Sequence, residues 1–96
     1  MSTLVLLEVT AKADCVDAVT EFFRTHLPDT RKYDGCQNIT AYEHEDGRVF
    51  VQVQRWDSKE HYQKYLAWRV ESGVLSVLEP LLDGEPSIRF FNPIDA

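Results

Sequence analysis

The sequence predicts an α+β fold of the ferredoxin-like kind, β-α-β-β-α-β, with a four-stranded antiparallel sheet and the helices on one of its faces. Three observations predict it. Strand and helix patterns follow one another in that order, Asp46-Gly47 marks a hairpin between the second and third strands, and the strands carry bulky residues on both faces. With 96 residues the chain makes one domain, 1–96, and no repeat, linker or low-complexity tract divides it.

The first strand is Thr3–Thr10, aliphatic on both sides: Leu4 and Leu6 face one way, Val5, Leu7 and Val9 the other. Asp14 is placed to cap a helix in which Val16, Val19, Phe22, Phe23 and Leu27 recur at helical spacing. Pro28 permits a continued or restarted turn, and Asp34-Gly35 closes the segment. Gln37–His44 and Arg48–Trp56 are the next strands. Val49, Val51 and Val53 share one face of the latter, and Phe50, Gln52, Gln54 and Trp56 the other. Asp57 to Glu60 has the spacing of a capping box, with Asp57 the cap. The helix it opens sets Tyr62, Tyr65, Leu66 and Arg69 on one side, with His61 and Trp68 flanking. Ser72-Gly73 interrupts it, an apolar stretch from Val74 to Leu82 turns around Pro80, Asp83-Gly84 ends that, and Ser87–Asn92 is the last strand. A sheet with helices on one face and bulky residues on both leaves an apolar face bare, which predicts a homodimer packed sheet to sheet.

Charge narrows the partners. A net charge of −6, from 16 acidic and 10 basic residues, argues against nucleic acid and against an anionic membrane surface. No apolar run nears the ~20 residues of a membrane span, and Leu4–Leu7 is too short for a signal-peptide core. A cytoplasmic protein is expected, with Cys15 and Cys36 as reduced thiols packed as small hydrophobes. His26, His44 and His61 lie in separate segments without an HxH or HxxxH pair, so no metal is expected. His26 and His44 read as surface residues.

The run Thr30 to Leu66 (TRKYDGCQNITAYEHEDGRVFVQVQRWDSKEHYQKYL) resembles the antibiotic biosynthesis monooxygenase domain family. The resemblance lies in order and spacing: Thr-Arg, then Gly-Cys, a strand, a hairpin, a strand ending in Arg-Trp, and a helix opened by Asp-Ser. It implies a dimeric α+β barrel and a cofactor-free monooxygenase, which oxidises a hydroxylated aromatic or quinol-type molecule with dioxygen. Chemically, a deprotonated phenol or carbanion supplies the electrons. The protein contributes a dry aromatic-lined pocket, a polar group for the anion and a nearby acid or base.

Residue by residue, Trp56 and Tyr62 match the Trp and Tyr that line the pocket of the polyketide-oxidising members. Gln52 stands where those members carry an asparagine, and Tyr65 where many relatives carry a histidine. Leu6, Tyr65 and Leu75 occupy the places of the Asn, Trp and His of the haem-degrading members, so haem cleavage is not expected. The candidate catalytic residues are therefore Tyr62, Tyr65 and Gln52, and the candidate substrate contacts are Trp56, Asn38, His61, Trp68 and Arg69. Each has a plainer reading. Trp56, Tyr62 and Tyr65 serve equally as core, and Gln52 with Gln54 could line a polar interface. Arg69 could pair with Glu71 in solvent, and Asn38 and His61 could be surface residues. Two other function classes stay open: a non-redox isomerase or lyase on the same scaffold, and a non-catalytic module that binds a small ligand.

Overall fold

The computed structural model describes residues 2–96. Its elements are β1 (Thr3–Thr10), α1 (Val16–Lys32), β2 (Cys36–Glu43), β3 (Val49–Trp56), α2 (Lys59–Glu71), α3 (Val74–Leu78), a 3-10 turn (Glu79–Leu81) and β4 (Ser87–Phe91). One four-stranded sheet has the order β2-β3-β1-β4, all neighbours antiparallel. This is the ferredoxin-like topology. β1 and β3 are the central strands: β1 is aliphatic on both faces, whereas β3 sets valines on one face and Phe50, Gln52, Gln54 and Trp56 on the other.

Register decides which face meets the helices. Ile39, Gln54, Val5 and Phe90 form one row across the sheet, and Ala41, Gln52, Leu7 and Ile88 the next. Phe50, Gln52, Gln54 and Trp56 are all buried on this side. The opposite face carries Leu4, Leu6, Val51, Val53, Tyr42 and Phe91, the last two 55% and 41% exposed. Two apolar clusters lie under the helices. One joins Val9, Val19, Phe23, Leu27, Phe50 and Leu78; the other joins Val5, Trp56, Tyr62 and Tyr65. Gln52 and Gln54 sit on β3 between Phe50 of the first and Trp56 of the second, so a polar seam divides the core.

Two helix starts differ from the expected ones by a residue. α1 begins after Cys15 without a side-chain cap, because Asp14 turns its carboxylate to the Cys15 thiol instead. α2 is capped by Ser58, whose Oγ accepts the His61 N–H at 3.2 Å. Asp57 is engaged elsewhere: its N–H donates to the Gly35 carbonyl (2.8 Å) and its carboxylate accepts from the Gln37 amide (2.8 Å). α1 runs through Pro28, which lies on its exposed side, where water can take the carbonyl that loses its partner. In the hairpin, His44 Nδ1 accepts the Asp46 N–H (3.0 Å) and Asp46 accepts the Arg48 N–H (2.9 Å). That last bond foremost holds the Asp46 carboxyl below its usual range. Both cysteines are free, and burial pushes the Cys36 thiol up.

Gly35 is the one glycine that close packing demands. Its φ is +90°, and a Cβ there would stand 2.5–2.6 Å from the base of the His61 side chain, whereas Gly84 (φ +97°) has open space around it. Both pay the left-handed penalty on substitution, but Gly35 adds overpacking. Gly35→Ala is therefore expected to destabilise by about 2 kcal/mol more than Gly84→Ala in urea unfolding. Equal losses would mean the imidazole gives way freely.

Candidate functional site

The polar seam opens into a cavity of about 50 Å³ between the sheet, α1 and α2, with α3 as its outer wall. Its polar lining comes from Gln52, Gln54, Tyr62, Tyr65, Arg69 and Thr30, and its apolar lining includes Phe22, Phe23, Leu66 and Leu75. A larger trough of about 400 Å³ lies outside, between α1 and the edge strand β2, with Arg24, Arg31 and Glu43 on its rim. None of the candidate residues lines that trough. Four of them line the smaller space.

Two hydrogen-bonded groups furnish the cavity. On β3 the Trp56 indole N–H donates to Gln54 Oε1 (2.9 Å), and Gln54 Nε2 donates to Gln52 Oε1 (2.8 Å). Between the helices, Arg69 Nε donates to the Tyr65 hydroxyl (3.0 Å), which lies 2.7 Å from Thr30 Oγ1. Arg69 Nη2 donates to Thr30 Oγ1 (3.0 Å) and to the His26 carbonyl (2.8 Å), tying α2 to α1. Arg69 is only 4% exposed and takes no part in the ion pairs of the described residues, so the solvated pairing with Glu71 does not occur. Its positive charge is balanced by neutral acceptors and by the Trp68 ring, 4.6 Å from the guanidinium carbon.

Tyr65 thus spends its hydroxyl inside the protein. Tyr62 does not: among the described residues its hydroxyl takes no part in the side-chain hydrogen bonds, and no fully buried polar atom is left unpartnered. Burial, with a smaller contribution from Tyr65, pushes the Tyr62 phenol far above its ordinary range, so it stays a proton donor at neutral pH.

Four of the eight candidate residues line the cavity: Gln52, Tyr62, Tyr65 and Arg69. Trp56 does not. It is fully buried behind them against Tyr33, Tyr62 and Tyr65, at ring separations of 6.4, 5.6 and 5.0 Å, so its core reading holds. Asn38 is exposed on the other face of the sheet opposite Arg55, because strand alternation turns Ile39 toward the helices in its place. His61 packs over Gly35 at the start of α2, with Nδ1 2.7 Å from Ser58 Oγ and Nε2 3.9 Å from the Asp34 carboxylate. Trp68 is 37% exposed and stacks on Tyr33. Conversely, Thr30 lines the cavity without having been singled out, and His26, read as a surface residue, is half-buried and lines it too. Thr30 continues the Val19, Phe23, Leu27 stripe, so the helical period already placed it inward. No group of three or more metal-ligating His, Cys, Asp or Glu side chains occurs among the described residues.

The family profile described as antibiotic biosynthesis monooxygenase matches residues 3–68. The chain belongs to the antibiotic biosynthesis monooxygenase family. No curated protein sequence matches. Among solved structures, the chain is similar to Rv0793 from Mycobacterium tuberculosis (TM-score 0.83, 21% identity, covering 100% of this chain and 98% of that one). It is similar to a conserved protein from Methanosarcina mazei Go1 (0.86, 15%, covering 95% and 91%). A structure named only as an antibiotic biosynthesis monooxygenase is also similar (0.87, 13%, covering 97% and 99%). At these identities the likeness establishes the fold, and the family match spans the elements that build the cavity from β1 through most of α2. No helix of the described residues is long and apolar enough to cross a membrane.

Proposed function

We propose that this protein binds a small hydroxylated aromatic or quinol-type molecule between its sheet and helices and oxygenates it with dioxygen, the substrate supplying the electrons. The observation that carries this reading is the cavity itself. Aromatic rings wall it, and the amide of Gln52 and the hydroxyl of Tyr62 are the polar groups left to a ligand. At a ring carbon bearing two hydrogens, one oxygen atom becomes a carbonyl and the other leaves as water, the carbon giving up the four electrons that dioxygen accepts. Gln52 and Tyr62 hold the substrate oxygen as it becomes anionic. With histidine absent from position 65, His26 brings an imidazole to the lining, and it takes the proton.

At about 50 Å³ the cavity is smaller than the ~150 Å³ that an engineered apolar site needs to take up benzene, so a ring enters only if a wall moves. α3 is that wall: it lies between Gly73, at φ +79°, and the 3-10 turn, and it offers Val74, Leu75 and Leu78 to the cavity. The small volume is also what favours the second reading, a module that binds a small ligand without oxidising it.

Oxygen uptake by chelator-treated protein over hydroquinones, naphthohydroquinones and anthrones, corrected for spontaneous oxidation, separates the two. Turnover is expected to fall about 100-fold in Tyr62→Phe, the loss typical of one oxyanion donor, and to fall likewise in His26→Gln. Ligand-dependent thermal stabilisation without uptake would select the binding module. We further propose that two copies pack through the open sheet face, whose apolar side chains no helix of the described residues covers.

A further inference from the structure

We propose that the Trp56–Gln54–Gln52 chain locks Gln52 as a hydrogen-bond donor, so that the cavity selects ligands presenting a bare acceptor oxygen, with Gln54 as the positioning residue. The inference rests on the reading that this cavity is the ligand site, and it adds the polarity that the ligand must match.

An amide side chain has a donor end and an acceptor end, and a glutamine facing a ligand can ordinarily turn to suit either. Here it cannot. Residues 52, 54 and 56 follow one another on the same face of β3, about 7 Å apart, close enough for the side chains to form a file along the strand. The file ends in an indole, whose nitrogen only donates. Trp56 Nε1 therefore requires the oxygen of Gln54, 2.9 Å away, and this turns Gln54 Nε2 toward Gln52. Gln52 answers with its own oxygen at 2.8 Å, leaving its NH₂ group to the cavity. Turning either amide would set N–H against N–H. No water substitutes easily, since Gln54 is 2% exposed and Trp56 fully buried. The polarity of the site is thus set at the far end of the file, by Trp56, which does not line the cavity.

Tyr62 presents a second donor, because a phenol held protonated gives its hydrogen to an acceptor. Two donors lining one cavity suit a ketone, a quinone carbonyl or the oxygen of an ionised phenol. A group that only donates meets N–H at Gln52, and there finds nothing to accept it; it must turn to the Tyr62 oxygen or the His26 ring instead.

The test compares 1-indanone, which only accepts, with indole, a near-isosteric bicycle that only donates. Their dissociation constants are measured by NMR titration against the wild type, Gln54→Glu and Gln54→Met. The wild type is expected to prefer indanone at least tenfold. In Gln54→Glu the carboxylate accepts from both neighbours, which turns the Gln52 oxygen to the cavity and reverses the preference. In Gln54→Met the file is cut, Gln52 turns freely, and the ratio falls toward one. The Trp56 indole N–H resonance should move in both variants while the rest of the spectrum keeps its dispersion. A wild type that binds neither probe removes the ligand site itself. Equal binding by the wild type, or an unchanged ratio in the folded variants, overturns the polarity lock and leaves the ligand site standing. Should neither variant fold, the wild-type ratio alone decides.

Discussion

Replacing Trp56 by alanine is expected to lower the melting temperature by at least about 15 °C, against less than about 5 °C for Trp68→Ala, as read by circular dichroism. Trp56 is fully buried, whereas Trp68 is 37% exposed. Removing the buried indole loses its transfer energy and leaves a cavity, together about 3–5 kcal/mol, and a domain this size melts roughly 4–8 °C lower per kcal/mol lost. A further loss follows from chemistry. Gln54 Oε1 forfeits the donor 2.9 Å away, in a place water hardly reaches. Trp68 gives up only one ring face against Tyr33 and its contact with the Arg69 guanidinium. Similar melting temperatures for the two variants would refute Trp56 as the centre of the second core cluster.

The same residue shows how far the sequence could be read. Gln52, Gln54 and Trp56 on one strand face were legible from alternation alone, and the fold followed from the order of the patterns. Which face met the helices was not legible, because β1 is apolar on both sides and β3 sets its glutamines on the face that is buried, so alternation alone does not specify the side. That choice decided the site. It buried the glutamines, set Trp56 behind them, and sent Asn38 to the far face with Arg55. The helix caps were misplaced by one residue for a local reason: Asp14 and Asp57 are good capping types, but their carboxylates are taken by Cys15 and Gln37. Arg69 was harder. An arginine near the end of a helix resembles a solvated one until the opposing helix is known, and the α1 carbonyl of His26 and the Thr30 hydroxyl, at 2.8 and 3.0 Å, join the Tyr65 hydroxyl in making its burial tolerable.

A carboxylate at Val53 is expected to convert the proposed dimer to monomers, with light scattering at micromolar concentration giving the mass of one chain, 11.1 kDa. Val53 lies on central strand β3 between Leu6 of β1 and Thr40 of β2, on the face away from the helices. Leu4, Leu6, Val51 and Phe91 extend the same apolar surface, while Arg55, Arg89 and Glu8 interrupt it. A second sheet laid on this face would enclose Val53 without a basic partner directly beside it. Val53→Asp would then bury an unpaired charge, costing several kcal/mol and weakening association by at least about 100-fold. The substitution leaves the cavity face untouched, because successive strand residues point to opposite sides, so ligand-induced stabilisation should persist in the monomer. Gln63→Glu, on the exposed side of α2, adds the same single negative charge without touching the sheet and should leave the proposed dimer intact. A wild type that is already monomeric, or a Val53→Asp variant that stays dimeric, would move the interface away from the open face.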